Sequence, residues 1–280
     1  MHALEFISGK ARNQQQINAL NELAVGDRVV FTEQFGSAVI DGMIKRRTRL
    51  SRLKLDYTRD SVANATEQVI AANVDIAIIV ASVVHPSFNP GLIDRYLVIC
   101  NYGNVKPIIC LTKIDKGSIP DMRAYEKLGI KVFAVSNETK EGMSELMSFI
   151  EGKTCVLVGN SGVGKSSLIN SMLQGEVLLT GEVSSKSGKG KHTTSSSSLH
   201  VIGNSTFIID TPGIRALSLK NIEKEALHFY FPEFAQFSEG CEFNDCTHSH
   251  EPKCAVKDAV NAGMLSKERY ASYVRILNDE

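Results

Sequence analysis

The sequence predicts a chain of three modules: a small N-terminal β-barrel, a central α/β domain with a mainly parallel sheet, and a mainly helical module at the C-terminus. Three observations predict this order. Short apolar runs alternate with turn residues at the start, strand-like and helix-like runs alternate in the middle, and cysteines cluster with histidines near the end. We place the modules at 1–66, 67–220 and 221–280, since a chain of 280 residues suits two or three domains.

The first module has the short apolar pieces and turn signals of β-strands. The run Val29–Phe31 follows the turn pair at 26–27, and the run Ala38–Ile40 lies between two glycines. Short apolar runs bounded by turn residues are typical of small all-β domains, so this part is predicted to be a β-barrel.

The central module alternates between strand and helix patterns. The strand-like runs are Ile76–Val80, Pro107–Leu111, Val132–Val135, Thr154–Val158, Leu199–Ile202 and Phe207–Ile209. The helical patterns are Gly91–Asn101, Gly142–Ile150 and Lys165–Leu173. This alternation favours a mainly parallel sheet with helices on both faces. The Ser/Gly/Lys-rich stretch Ser184–Ser198 is predicted to be a mobile loop.

A glycine-rich loop follows the fourth strand-like run. Residues Gly159–Ser166 fit the pattern G-x-x-x-x-G-K-S. Glycines let backbone N–H groups turn toward phosphate oxygens, Lys165 supplies a positive charge, and Ser166 offers a hydroxyl to Mg²⁺. The alternative, a chance glycine-rich turn, is disfavoured by the strand before it and the helix after it. The residues expected at the phosphates are Gly159, Asn160, Ser161, Gly162, Val163, Gly164, Lys165, Ser166 and Ser167.

A second motif points to guanine. The tetrapeptide Thr-Lys-Ile-Asp at 112–115 is similar to the N-K-x-D motif of GTPases. The Asp115 carboxylate can accept from both N1–H and the exocyclic amine of guanine, which adenine does not offer. Thr112 keeps a hydroxyl but loses the usual Asn amide that braces the purine and the phosphate loop, and the stem of Lys113 can lie over the base. Ser136 occupies the place of a second base-contacting loop, with an ordinary strand-to-loop serine as the alternative.

The order of the motifs is unusual. The sequence Asp-Thr-Pro-Gly at 210–213 fits D-x-x-G, in which Asp210 holds Mg²⁺ through water and the Gly213 N–H faces a γ-phosphate, although it could also be a plain turn. In common GTPases the phosphate loop comes first and the base motif last. Here the base motif comes first, which is compatible with one site because all these loops meet at the carboxyl edge of the sheet. The central module is therefore predicted to be a circularly permuted P-loop GTPase.

The cysteines fall into two sets. Three of the six sit singly within apolar runs, at 100, 110 and 155, and are expected to be buried. The others, Cys241, Cys246 and Cys254, are interspersed with His248 and His250, and such a cluster in a cytosolic protein indicates a metal before a disulfide. Three thiolates and one imidazole suit a closed tetrahedral Zn²⁺ site, which leaves no open position and is therefore structural.

A basic run in the first module is a candidate nucleic-acid contact. The formal net charge is zero, so such a contact requires a local patch. The patch consists of Lys45, Arg46, Arg47, Arg49, Arg52 and Lys54. A cationic face on a β-barrel suits single-stranded or irregular RNA. The alternative is a solvated strand edge that resists aggregation.

The composition favours a soluble cytoplasmic protein. The first residues lack the charged-then-apolar layout of a signal peptide. The longest apolar run, Ile76–Val84, contains Ser82 and is far shorter than the ~20 residues that a membrane span needs. We therefore expect no membrane contact, and we expect a monomer.

Together these features resemble one family, the small-ribosomal-subunit-dependent GTPase A family. The resemblance rests on the motif order, the loop Gly190-Lys191-His192-Thr193-Thr194, the cluster Cys241-x4-Cys246-x-His248-x5-Cys254, the pair Gly26-Asp27, and the run through Arg47, Leu50, Ser51 and Arg52. It implies an N-terminal OB-fold, a permuted GTPase domain that binds GTP or GDP with Mg²⁺, and a module with one Zn²⁺ held by His248 rather than His250. It also implies late assembly of the small ribosomal subunit and contact with its RNA.

The hydrolytic machinery departs from that of many GTPases. A Gln that orients the attacking water often follows D-x-x-G. Here the residue is Ile214, a substitution that the family shares, so another group must position the water and the free enzyme should be slow. His192 is the candidate, beside Thr193 and Thr194, one of which should reach Mg²⁺. The alternative is that His192 contacts RNA.

Two other functions compete with a ribosome-assembly GTPase. One is a GTP-dependent RNA-binding switch with negligible turnover. The other, a P-loop ATPase or small-molecule kinase, is disfavoured by Asp115.

Overall fold

The computed structural model describes residues 5–8, 23–34, 37–56, 64–173, 198–203, 205–210, 219 and 221–278. Its N-terminal strands are β1 (Glu5–Ser8), β2 (Arg28–Gln34) and β3 (Ser37–Met43) in one sheet, and β4 (Arg49–Asp56) and β5 (Asn64–Ala72) in another. The strands predicted in this part are confirmed. An isolated bridge between Val25 and Ala71 links the two sheets, and closure into an OB-fold barrel stays a prediction.

A buried ion pair holds the start of β2 in place. The carboxylate of Asp27, fully buried, accepts two hydrogen bonds from the guanidinium of Arg46, at 2.7 and 2.8 Å. The preceding Gly26 has a φ of +91°, and a Cβ there would lie 2.0 Å from the carbonyl oxygen of Ala72. The turn pair predicted from the sequence is therefore a site of close backbone packing.

Within the described residues, the central sheet has six strands. They are β6 (Ile76–Ser82), β7 (Lys106–Thr112), β8 (Lys131–Val135), β9 (Thr154–Val158), β10 (Ser198–Ile202) and β11 (Thr206–Asp210). Their spatial order is β10-β11-β9-β6-β7-β8, and every neighbouring pair is parallel except β10 and β11. The predicted parallel sheet is confirmed, with one antiparallel edge strand.

Helices cover both faces of this sheet. They are α1 (Pro90–Tyr102), α2 (Arg123–Glu126), α3 (Met143–Ile150) and α4 (Lys165–Leu173). Asn89 caps α1 and Pro90 opens it, a favourable start for a helix. Alternate residues of β6 belong to opposite apolar clusters: Ile79 packs with α1, and Ile78 packs with α3 and α4. No helix of the described residues is long and apolar enough to cross a membrane.

The three single cysteines belong to this core. Cys100 lies in the cluster around α1, and Cys110 and Cys155 lie in the cluster on the opposite face. Burial raises the pKa of each thiol to about 12. They are therefore unreactive apolar side chains, as predicted.

The C-terminal part consists of short helices. Two 3₁₀ helices, Lys224–Tyr230 and Pro232–Phe234, precede α5 (Ala235–Ser238), α6 (Ala255–Asn261) and α7 (Lys267–Asn278). The rings of Phe231, Phe234 and Tyr273 are fully buried and pack on one another with centroids 5.0–5.3 Å apart. This aromatic core makes up for the small amount of regular structure.

A buried arginine joins this part to the central domain. Arg269 on α7 donates to Asp94 on α1 at 2.7 Å and to Glu233 at 2.6 Å. Its guanidinium carbon lies 5.0 Å from the ring centre of Phe231. The side chains of Arg269 and Asp94 are only 6% and 1% exposed, so Asp94 depends on Arg269 for neutralisation.

Replacing Arg269 with Met should lower the free energy of unfolding by about 3–5 kcal/mol, because Asp94 and Glu233 would remain buried without a counter-charge. Urea unfolding followed by the near-UV circular dichroism of tyrosine measures the change, since the sequence has no tryptophan. The control is Arg123→Met, whose partner Asp121 lies on the surface. That variant should unfold at the wild-type midpoint, and equal losses in both variants would contradict a special role for Arg269.

Candidate nucleotide site and metal centre

The predicted nucleotide motifs meet at one edge of the sheet. Strands β6, β7, β8, β9 and β11 run in the same direction, so the loops that follow them lie together at their carboxyl ends. The chain leaves β9 toward β11 and leaves β6 toward β7, which makes the gap between β9 and β6 the point where the connections diverge. Ligands of open α/β sheets bind at such a point.

The phosphate loop has the backbone geometry that its glycines permit. Gly159, Gly162 and Gly164 have φ values of +146°, +79° and +96°. A Cβ on Gly159 would lie 2.3 Å from the carbonyl oxygen of Val80, so the loop packs tightly on β6. The Lys165 ammonium donates to the carbonyls of Gly159 and Asn160 at 2.7 and 2.6 Å. The loop therefore wraps around its own cation at the start of α4.

Thr112 holds the phosphate loop from the side of the base motif. Its side chain is fully buried, and its hydroxyl donates to the carbonyl of Val163 at 2.6 Å. The Thr112 Oγ1 atom would also contact a Cβ on Gly164, at 3.6 Å. The sequence predicts that Thr at this position loses the brace supplied by Asn. The structure shows that the shorter hydroxyl reaches the loop, because β7 and the loop pack closely there.

Lys113 is a second link between the base motif and the phosphate loop. Its ammonium donates to the carbonyl of Gly162 at 2.8 Å and to the carbonyl of His85, in the loop that follows β6. Lys113 has a left-handed φ of +62°, which turns the chain sharply after β7. The sequence motif predicts that its stem can lie over the base, but gives no sign of the link to His85.

Asp115 and Ser136 form the other side of the site. The hydroxyl of Ser136, fully buried, donates to Asp115 at 2.7 Å. The same oxygen accepts the backbone N–H groups of Glu138 and Thr139 at 3.2 and 3.1 Å. Ser136 therefore holds its own turn and orients the Asp115 carboxylate. Asp115 itself is exposed and able to accept hydrogen bonds from a base.

The switch side of the site is described in part. Asp210 ends β11 opposite Ser198. Several residues expected to act here lie outside the described residues: Gly213, Ile214, His192, Thr193 and Thr194. The predicted mobile loop 184–198 also lies outside them, apart from Ser198.

The predicted metal ligands form a compact cluster. The ligand atoms of Cys241, Cys246, His248 and Cys254 all lie within 4.8 Å of one another. The two sulfurs of Cys241 and Cys254 are 3.8 Å apart, and Nδ1 of His248 lies 3.6 and 3.4 Å from them. Tetrahedral zinc with metal–sulfur bonds of about 2.3 Å separates two sulfurs by about 3.8 Å, so these residues fit Zn²⁺. His250 is 83% exposed and is not part of the cluster.

The surroundings of His248 favour the tautomer that can bind a metal through Nδ1. Ser238 donates its hydroxyl hydrogen to the Phe234 carbonyl at 2.9 Å, so its oxygen accepts from Nε2–H of His248 at 3.3 Å. This tautomer leaves Nδ1 with a free lone pair toward the sulfurs. Burial lowers the pKa of His248 to about 4, which keeps the imidazole neutral. Ser238 has no sequence signal, because its contact with His248 joins the end of α5 to a residue ten positions later.

The loop that contains His248 is held by a carboxylate. Glu251 accepts the backbone N–H and the hydroxyl of Thr247 at 2.7 and 2.6 Å, and the N–H of Ser249 at 3.0 Å. Burial alone would raise the pKa of Glu251, but these hydrogen bonds lower it to about 2. The hydroxyl of Tyr270 donates to the His248 carbonyl at 2.8 Å. These bonds stabilise the left-handed backbone of His248, whose φ is +57°.

The basic residues of the N-terminal part differ in their surroundings. Arg46 is bound to buried Asp27, and its side chain is only 14% exposed. Arg49 pairs with Glu67 at 3.2 Å and lies over the ring of Tyr102 on α1. The remaining residues that the sequence predicts to contact RNA, namely Lys45, Arg47 and Arg52, lie at or near the surface.

Comparison with known proteins links these features to one group. The RsgA GTPase family model matches residues 43–220. A relative in Chlorobaculum tepidum, named small ribosomal subunit biogenesis GTPase RsgA, is 39% identical over 92% of this chain and 85% of its own length. A relative of the same name in Geobacillus thermodenitrificans is 40% identical over 89% of this chain and 82% of its own length.

Two solved structures are also similar. The crystal structure of YjeQ from Thermotoga maritima has a TM-score of 0.73 and 30% identity, over 98% of this chain and 88% of that one. YloQ, described as a circularly permuted GTPase, has a TM-score of 0.68 and 30% identity, over 96% of this chain and 84% of that one.

Replacing Thr112 with Val should weaken GDP binding by about fivefold or more. The change keeps the branched shape but removes the donor to the Val163 carbonyl, and an unpaired buried carbonyl costs about 1–3 kcal/mol. A titration with fluorescent mant-GDP measures the affinity. Thr112→Ser is the matched control, since it keeps the hydroxyl, and should stay within about threefold of wild type. Unchanged binding by Thr112→Val would show that the phosphate loop does not need this bond.

Purified protein should contain one equivalent of zinc. The double variant Cys241→Ala/Cys254→Ala should hold less than half an equivalent, because two of the four ligands are lost. Ser238→Ala should still contain zinc as purified. Its affinity for zinc should be about 10- to 100-fold lower than that of wild type, because His248 is no longer oriented. Metal analysis and chelator competition give these values. His250→Ala is the control and should contain as much zinc as wild type. A loss of zinc in this variant would show that His250 is a ligand.

Proposed function

Because this chain belongs to the RsgA GTPase family, we propose that it hydrolyses GTP to GDP and phosphate and acts in the late maturation of the small ribosomal subunit, which stimulates its turnover. One observation carries the GTPase part. The base motif and the phosphate loop, separated and reversed in the chain, are joined by the bond from Thr112 to Val163. A nucleotide bound across this link would be held at its base and its phosphates together.

Different residues are proposed to bind the base, the phosphates and the metal ion. We assign guanine recognition to Asp115, which Ser136 orients, with Thr112 and Lys113 as the links to the phosphate loop. Residues 159–167 hold the phosphates, with Lys165 as the cation and the Gly213 N–H at the γ-phosphate. Mg²⁺ would neutralise charge on the β- and γ-phosphates, and the residues that would hold it are Ser166, Asp210 through water, and one of Thr193 and Thr194.

The attacking water needs a positioning group. Ile214 replaces the Gln that serves many GTPases, and its side chain has no hydrogen-bonding atom. We assign this role to His192, whose imidazole can accept a proton near neutral pH. The free protein should therefore hydrolyse GTP slowly. Contact with the subunit is proposed to hold His192 where it can position the water.

The N-terminal module is proposed to bind the ribosomal RNA of the subunit, and the C-terminal module is proposed to be structural. We assign residues 1–66 to an RNA-binding OB-fold, 67–220 to the GTPase domain, and 221–280 to a structural zinc module. Lys45, Arg47, Arg49 and Arg52 form the RNA-facing charge, whereas the pairing of Arg46 with Asp27 favours a structural role for that arginine. The protein is proposed to act as a cytoplasmic monomer.

The proposed function predicts turnover that depends on the small ribosomal subunit. Phosphate release from GTP should rise at least tenfold when purified small subunits are added, about 1.4 kcal/mol of barrier. The variant His192→Ala should lose this rise while still binding GDP and the subunit. Turnover that stays at the free rate with bound subunits would favour a GTP-dependent RNA-binding switch instead.

Asp115→Asn provides the control for contaminating GTPases. The amide donates where the carboxylate accepted, so this variant should lose stimulated turnover of GTP and regain it with xanthosine triphosphate. The double variant Lys45→Glu/Arg52→Glu tests the RNA-facing charge. It should weaken subunit binding, with a smaller salt dependence, and leave intrinsic GTP affinity unchanged.

A further inference from the structure

An asparagine side chain lies beside the phosphate loop. Asn137 follows Ser136 beyond the carboxyl end of β8, and the last residue of that strand, Val135, pairs with Thr112 of β7. The Nδ2 atom of Asn137 would lie 3.6 Å from a Cβ on Gly164, and Oγ1 of Thr112 would lie at the same distance from it. The amide and the hydroxyl therefore both pack against one glycine of the phosphate loop.

The backbone of Asn137 is held in place, but its amide is not engaged. The Ser136 N–H donates to the Glu141 carbonyl at 3.1 Å, and the Lys140 N–H donates to the Ser136 carbonyl at 3.0 Å, which closes the turn that contains Asn137. The Oδ1 atom of Asn137 is buried and has no hydrogen-bond partner among the described residues. Buried polar atoms rarely lack a partner, so an unpartnered amide beside a nucleotide site points to a ligand.

The base motif is short of one hydrogen-bond donor. The Thr112 hydroxyl has a single hydrogen, and the Val163 carbonyl accepts it at 2.6 Å. The Lys113 ammonium is directed to the carbonyls of Gly162 and His85. The Asn that usually opens the N-K-x-D motif has two amide hydrogens, one for the phosphate loop and one for the purine. Threonine can make the first of these bonds and not the second.

We propose that Asn137 supplies the missing donor: its Nδ2–H group donates to N7 of the bound guanine, while Thr112 braces the phosphate loop. This inference rests on the proposed function, in which Asp115 reads N1–H and the exocyclic amine. The other polar atoms of the base, O6 and N7, only accept hydrogen bonds. N7 belongs to the ring that carries the ribose and its phosphates, so it is the acceptor nearer to the phosphate loop, where Asn137 lies.

The proposal divides the two bonds of one Asn between two residues on neighbouring strands. Thr112 ends β7, and Asn137 lies two positions beyond the end of β8. The base would then be held at both of its polar edges, by the Asp115 carboxylate at its donors and by the Asn137 amide at N7. Asn137 is thus a base-contacting residue outside the motif that selects guanine.

The test compares GDP with 7-deaza-GDP, in which a C–H group replaces N7, on the full chain with Mg²⁺. Isothermal titration of wild type should show about fivefold or more weaker binding of 7-deaza-GDP, because one hydrogen bond is lost. Asn137→Leu keeps the branched shape and removes the amide. This variant should bind GDP about fivefold or more weakly than wild type does, and should bind the two nucleotides within about twofold of each other.

A purely structural role of Asn137 would weaken both nucleotides equally in Asn137→Leu and keep their wild-type ratio, which would overturn the proposal. Equal binding of the two nucleotides by wild type, or unchanged GDP binding by Asn137→Leu, would also overturn it. Glu138→Gln, an exposed neighbour in the same turn, is the control and should keep the wild-type ratio. Subunit-stimulated GTP turnover by wild type tests the proposed function separately: if turnover is stimulated and any of these contrary results is found, only the role of Asn137 is wrong.

Discussion

The structure depends on one strand that is buried on both faces. Every residue of β6, from Ile76 to Ser82, is buried, and the strand pairs in parallel with β7 on one side and β9 on the other. A slip of one residue would exchange its two faces, so the fit of individual side chains in the apolar clusters above and below the sheet fixes the register. The base motif begins where β7 ends and the phosphate loop where β9 ends. Packing in the core therefore sets the distance across which Thr112 reaches Val163.

Helix α1 connects the central sheet to both outer parts of the molecule. Beyond its C-terminus, the carbonyl of Gly103 accepts the backbone N–H of Arg49, at the start of β4. Nearer its N-terminus, Asp94 pairs with Arg269 of the C-terminal part. The loop before α1 contains His85, whose carbonyl accepts from Lys113 of the base motif. One helix is thus in contact, through hydrogen bonds at its ends, with elements that the sequence assigns to different modules.

The sequence predicts the central sheet closely and the polar contacts poorly. The six strand-like runs lie within two residues of β6–β11, because strands buried on both faces have continuous apolar sequences. The Cys/His cluster is also predicted, since three of the six cysteines and two of the seven histidines fall between positions 241 and 254. By contrast, Arg46 and Arg269 look like ordinary surface charges in the sequence. Their carboxylate partners Asp27 and Asp94 lie 19 and 175 positions away, and no local pattern encodes such a pair.

The order of the strands along the chain also determines which half of the proposed nucleotide site is synthesised first. Of the strands of the central sheet, β6, β7 and β8 emerge first during synthesis, and the pair of Asp115 and Ser136 can form within that unit. Val163 and the rest of the phosphate loop emerge later, and β11 with Asp210 later still. A nascent chain therefore holds the half of the site that we propose recognises a base before it has the half that we propose binds phosphate. One edge of β6 stays unpaired until β9 arrives, which makes this interval the one most exposed to mispairing.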